Sequence, residues 1–216
     1  MRKSLIATAL FLGLLAFAAS AFALPITFEV AGLNDQTLRA QVTADYNPLT
    51  ATASFSILNT TTTQGNITGF AFSLPGDGAG YSLAGGSSSN ANFHLLNSLG
   101  AIIPDSINTP QLAGSLDVGM GTGPNFSGGN PNQGILIGQT ATFNLIFSGT
   151  GVGGWSTSSI LAALAQETDP LFAVRFQATT GGGSDVATPT PVPPAVWMLG
   201  SGLLGLMGFR RRSLAA

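Results

Sequence analysis

Polar and apolar residues alternate strictly along residues 39–46 (RAQVTADY), which puts Ala40, Val42, Ala44 and Tyr46 on one side of an extended chain. The alternation stops at Asn47-Pro48 and resumes along residues 50–57, with Ala51, Ala53, Phe55 and Ile57 in phase. Side chains of a strand point to its two faces in turn, so this pattern around a turn signal predicts a hairpin with one buried face. The same period marks residues 69–74 through Phe70, Phe72 and Leu74, and residues 140–147 through Ala141, Phe143, Leu145 and Phe147. It returns at residues 171–178 through Phe172, Val174, Phe176 and Ala178. Shorter apolar stretches at 26–30, 93–96 and 112–118 supply further strands. Short strands with one apolar face each predict an all-β fold: a single jelly-roll-like β-sandwich over residues 24–180, with phenylalanines filling the space between two sheets. One short helix is expected over residues 156–166 (STSSILAALAQ), which open on a capping serine, contain no glycine and are followed by Pro170.

Between these elements, residues 75–92 (PGDGAGYSLAGGSSSNAN) and 119–134 (GMGTGPNFSGGNPNQG) read as long surface loops. Residues 181–194 (GGGSDVATPTPVPP) read as a linker that starts flexible and stiffens through its prolines.

Both ends are more apolar than the body. Arg2 and Lys3 precede an uncharged apolar run over residues 5–18, and small residues follow in the spacing Ala19-Ser20-Ala21 and Ala21-Phe22-Ala23. That order describes a secretory signal peptide over residues 1–23, cleaved after Ala23 or Ala21, because the peptidase accepts only small side chains there. Near the other end, residues 195–209 form an apolar run closed by Arg210, Arg211 and Arg212. As a helix it would measure about 22 Å, short of the roughly 20 residues of a comfortable membrane span. Trp197 suits an interface, and the arginines suit the side where positive charge is retained. Gly200, Ser201, Gly202, Gly205 and Gly208 give the run a small-residue surface that another helix could approach closely.

The stretch Thr190-Pro191-Val192-Pro193-Pro194-Ala195-Val196-Trp197, continued by Leu199-Gly200-Ser201-Gly202-Leu203-Leu204-Gly205-Leu206 and the three arginines, resembles the PEP-CTERM sorting signal. It is most similar to the variant that begins Val-Pro-x-Pro-Ala-Ala-Val-Trp. It departs in two places: Val192 stands where the Pro-Glu-Pro core has glutamate, and Pro194 stands for the first alanine. The resemblance covers about the last 25 residues, here 191–216. It implies an exosortase substrate, handled at the motif Pro191, Val192, Pro193, Pro194 and Ala195. It further implies a transmembrane helix over 195–209 that holds the chain in the membrane only transiently. The destination it implies is the surface of a Gram-negative bacterium, among exopolysaccharide and biofilm matrix.

Charge narrows the role of the body. Between residues 24 and 209 only Arg39 and Arg175 are positive against nine acids, a net of −7. A body with so few cations has no means of gripping phosphates, which excludes nucleic acid as a partner. With no cysteine, disulfides and thiolate metal sites are excluded as well. His94 is the sole histidine and no Gly-x-Ser-x-Gly elbow occurs, so no catalytic residues are assigned and the chain is not read as an enzyme. The scattered acids mark no glycosidase pair. Calcium is the one ion the composition could accommodate, through Asp77, Asp117 or Asp185 beside Gly- or Asn-rich stretches, though no EF-hand spacing is present. No other cofactor is expected. Trp155, after Gly151-Val-Gly-Gly154, and Tyr81 are the two aromatics placed to stack on a sugar. Asn59 and Asn66 begin glycosylation sequons. The expectation is an exported, surface-sorted protein, a structural or adhesive component of extracellular polysaccharide. The alternative is a carbohydrate-binding module that recognises one glycan.

Overall fold

The computed structural model describes residues 25–190 except 79, 110, 113 and 160–171, and not the side chains of 77 and 78. The signal-peptide site at Ala21 and Ala23, the motif 191–195, the apolar run 195–209 and Arg210, Arg211 and Arg212 lie outside the described residues. Among the described residues no helix is long and apolar enough to cross a membrane.

Among the described residues thirteen strands follow in order: β1 (Ile26–Gly32), β2 (Arg39–Asn47), β3 (Thr52–Asn59), β4 (Asn66–Phe72), β5 (Tyr81–Ser88), β6 (His94–Leu95), β7 (Gly100–Ala101), β8 (Ile107–Asn108), β9 (Ser115–Leu116), β10 (Val118–Gly121), β11 (Thr140–Gly149), β12 (Phe172–Gln177) and β13 (Ser184–Pro189). Eleven of them form one antiparallel sheet in the order β6-β10-β4-β12-β13-β1-β2-β3-β11-β5-β7, and β8 pairs with β9 apart from it.

The sheet curls over its own apolar face. Four strands lie between β4 and β3, yet Phe72 of β4 and Phe55 of β3 bring their ring centres to 4.9 Å, and Phe70 of β4 meets Phe143 of β11 at 4.7 Å. Phe172 of β12 joins them, 5.9 Å from Phe55. The in-phase residues of β2, β3 and β11 are the ones buried, as the alternation predicts.

The all-β expectation therefore stands, but the two separate sheets of a sandwich do not. The halves are joined by β1 and β13, which pair through Val30↔Pro189, Ala31↔Thr188 and Gly32↔Ala187. That pairing also corrects the domain boundary. Residues 184–189, expected to be linker, form a strand inside the sheet with β12 on one side and β1 on the other. Asp185, Val186 and Ala187 are buried there. Thr190, the last described residue, is still tied to the sheet, its N–H reaching the Glu29 carbonyl at 3.0 Å.

The expected loop over 75–92 holds a 3-10 turn (Pro75–Gly78) and then β5, which pairs with β11 from Tyr81 to Ser88. The expected loop over 119–134 begins inside β10 and ends in a 3-10 turn (Pro131–Gln133). The expected helix is described only at 157–159; residues 160–166 lie outside the described residues. Its start matches the capping expectation: Ser156 Oγ accepts the Ser159 N–H at 3.1 Å, and Ser159 Oγ accepts the Ser156 N–H at 2.8 Å.

The two halves of the sheet differ on their outer faces. Behind β4, β12 and β13, the segments around β8–β9 and Phe126 close a second apolar cluster of Ala71, Ile107, Leu116, Phe126, Ala173 and Val186. Strands β4 and β12 are thus buried on both faces. Strands β2, β3 and β11 keep their polar face outward.

Candidate functional site

Trp155 and Tyr81, far apart in sequence, meet at the end of the sheet where both chain ends leave it. Gly151 takes a left-handed φ of 102° and opens a 3-10 turn (Val152–Gly154), which drops Trp155 onto the core. The indole is 7 % exposed and packs against three rings: Tyr81 edge-on at 4.5 Å, Phe147 at 5.7 Å and Tyr46 at 5.8 Å. A sugar-stacking residue needs an open ring face, and Trp155 has none. It is a core cap, so the surface role expected of it is corrected; Tyr81 is half-buried as its edge neighbour.

Tyr46 completes this cap by donating its hydroxyl to the Val152 carbonyl at 2.7 Å. Burial pushes the Tyr46 hydroxyl up to about 12. An unfolded tyrosine titrates near 10, so the fold favours the protonated phenol. That stability is fully present below pH about 10 and is lost as pH rises towards about 12. Thermal melts across that window should show wild-type stability falling. Tyr46→Phe should be less stable by about 1 kcal/mol at neutral pH, for want of the hydrogen bond, and flatter across the window.

Of the acids singled out for calcium, the Asp77 side chain lies outside those described, and Asp117 and Asp185 work as clamps. Asp185 is buried and accepts the N–H groups of Asn34 and Asp35, both at 2.9 Å, which pins the β1–β2 turn to β13. Asp117 is buried and accepts the N–H groups of Leu74 and Asp105, both at 2.8 Å. Among the described residues no three of His, Asp or Glu converge in a way that could hold a metal ion. His94 lies on β6 with its Nε2 2.9 Å from the Gly123 carbonyl, a strand residue with a satisfied ring. Asn59 is fully buried and donates its amide to the carbonyls of Gly65 and Ile135, which removes it as a glycosylation acceptor. Asn66 uses its amide on the Pro131 carbonyl.

The surface with organised chemistry is the outer face of β1-β2-β3-β11-β5. Antiparallel register sets two rows across it. One runs Thr27, Thr43, Ser56, Thr142; the other runs Asp45, Ser54, Asn144, Ser87. Adjacent members of a row lie about 4.8 Å apart, and the rows about 7 Å apart. Neighbouring side chains are already bonded to one another: Thr27 and Thr43 hydroxyls at 2.8 Å, and Ser54 Oγ to Asn144 Oδ1 at 2.8 Å. Such bonds fix the rotamers and leave further donors and acceptors aimed outward. This is a nearly uncharged array of hydroxyls and amides, suited to a hydroxyl-rich polymer and unsuited to a phosphate.

Thr43, Asp45, Ser54, Ser56, Thr142 and Asn144 were present in the alternation as its polar members, whereas Ser87 fell in an expected loop, and nothing local says which strands adjoin. The rows exist only once β11 pairs with β3 across 80 intervening residues (60–139). No family model, curated protein or solved structure matches the chain.

Proposed function

We propose that the chain is exported, sorted to the bacterial surface, and there serves as a structural or adhesive component of an extracellular polysaccharide matrix. The observation that carries this reading is where strand β13 ends. It ends at Pro189, Thr190, the last described residue, still hydrogen-bonds to Glu29 of β1, and the sorting-like tract Pro191-Val-Pro-Pro-Ala195 begins at the next residue in sequence. A processing enzyme would thus meet its motif directly after an interior strand of the sheet. In this reading signal peptidase cuts after Ala23 or Ala21. Residues 195–209 hold the chain in the membrane, Arg210 to Arg212 keep their side of it, and an exosortase-type enzyme acts at 191–195.

The polar rows on β1-β2-β3-β11-β5 are the surface for neutral polysaccharide. A module for one specific glycan would have used Trp155 as its platform, and the burial of that ring withdraws the observation that favoured it. Co-sedimentation with extracellular polysaccharide from the native host tests the matrix role. The exported protein should pellet with it. Ser56→Arg with Asn144→Arg, which plants two long cations on the rows, should pellet severalfold less at unchanged melting temperature. Protein that stays in the supernatant throughout would refute the role.

A further inference from the structure

We propose that the end of the sheet from which both chain ends leave docks on the lipid bilayer while the chain is anchored, with Leu49 and Ile103 among the lipid headgroups. This rests on the reading of residues 195–209 as a membrane anchor.

Chain length sets the geometry. Thr190 lies beside Glu29, and β1 continues past it for three residues to Ile26, about 10 Å along the strand. Ile26 is paired with Ala44, and β2 runs three residues further to Asn47, about another 10 Å, before the turn that carries Leu49. The Leu49 turn therefore projects about 20 Å beyond Thr190. Ala195, where the apolar run begins, is five residue steps beyond Thr190, and those steps can span at most about 18 Å. With β1 along the membrane normal, the Leu49 turn reaches the level at which the anchor enters the bilayer. The domain has no slack with which to stand off.

The side chains at this end fit that position. Leu49 is 87 % exposed, Ile103 69 %, Ile146 44 % and Ile26 39 %, four of the eight exposed large apolar residues among those described. Leu33, Leu136 and Ile137 lie at the other end, by the β1–β2 turn and before β11. Neither tip is loosely held. Asn47 Oδ1 accepts the Leu49 N–H at 3.0 Å. On the two sides of Ile103, the Ile102 N–H reaches the Tyr81 carbonyl at 2.9 Å and the Asp105 N–H reaches Asp117 at 2.8 Å.

Among the described side chains, the charges at this end are Asp45, Asp105 and the buried Asp117. Arg39 begins β2 at the far end and Arg175 is buried in β12. Docking is therefore apolar, indifferent to salt and without need of anionic lipid.

The absence of cysteine allows one label per molecule. The exported chain, residues 24–216, would carry a nitroxide at Leu49→Cys or, as control, at Leu136→Cys, and be reconstituted into phosphatidylcholine vesicles. Flotation reports the anchor; accessibility to oxygen and to a polar nickel chelate reports depth. The expected result is that the chain floats, and that the label at 49 is severalfold less reachable by the chelate than the label at 136, at low and high salt alike. A floating chain with equal accessibility at both sites would overturn the docking and leave the anchor standing. A chain that does not float would overturn the anchor reading and the docking with it.

Discussion

A chain that begins at Leu24 and stops after Gly183 should show no cooperative unfolding, while one that stops after Thr190 should melt in a single transition. The seven residues in question come from a stretch whose composition reads as linker. In the fold, β13 is an interior strand, and its loss would strip pairing from Val30, Ala31 and Gly32 of β1 and from residues 174–177 of β12. Each buried backbone group left without a partner costs about 1–3 kcal/mol. Arg175 would lose Ser184, which accepts from its guanidinium at 2.9 Å, and the Asp185 carboxylate that opposes the lowering of its pKa by burial. The β1–β2 turn would lose the same carboxylate. The losses together exceed the roughly 5–15 kcal/mol that holds a typical domain folded. Calorimetry or near-ultraviolet circular dichroism on the two chains reads the difference. Equal cooperative melting would show that β13 is dispensable.

Phe70→Ala should destabilise the domain by about 3–5 kcal/mol and lower its melting temperature by roughly 10 °C or more. Phe70 is fully buried, and its ring lies 4.7 Å from Phe143, 5.4 Å from Phe55 and 6.1 Å from Phe172. It joins β4 in one half of the curled sheet to β3 and β11 in the other, so the cavity opens at the seam. Surrounding rings are held by strands on both sides and can collapse little into the space. Leu49→Ala, at an exposed turn, should change stability by no more than about 0.5 kcal/mol. A Phe70→Ala loss of that small size in a denaturant titration would contradict the seam.

The hairpin β2–β3 and strand β11 were legible because one of their faces is open, so burial and alternation coincide. The reading weakened where both faces are covered. In β12, Ala173 and Arg175 are as buried as Phe172 and Val174, because the β8–β9 segment lies over them. Strands β5 and β13 were missed for a different reason. β5 contributes Gly85 and Gly86 where Ile146 and Leu95 come close, and a side chain at Gly86 would require the Leu95 side chain to shift. Its glycines serve close approach but read as loop. In β13, Ser184 and Asp185 read as polar linker, yet Asp185 is buried because it anchors the turn at Asn34 and Asp35. Trp155 was legible as special, but a glycine-rich approach suits a displayed ring and a capping ring alike. Only the positions of Tyr46, Tyr81 and Phe147 decide between them. The polar rows depend on register across strands distant in sequence, which no local pattern carries.

The destination of the chain is the central claim, and intact mass of the protein recovered from the envelope and medium of its native host tests it most directly. The account predicts a mature chain that begins after Ala23 or Ala21 and ends between Thr190 and Ala195, beyond the last residue of β13 and short of the apolar run. A mature chain that still carries residues 195–216 would contradict it.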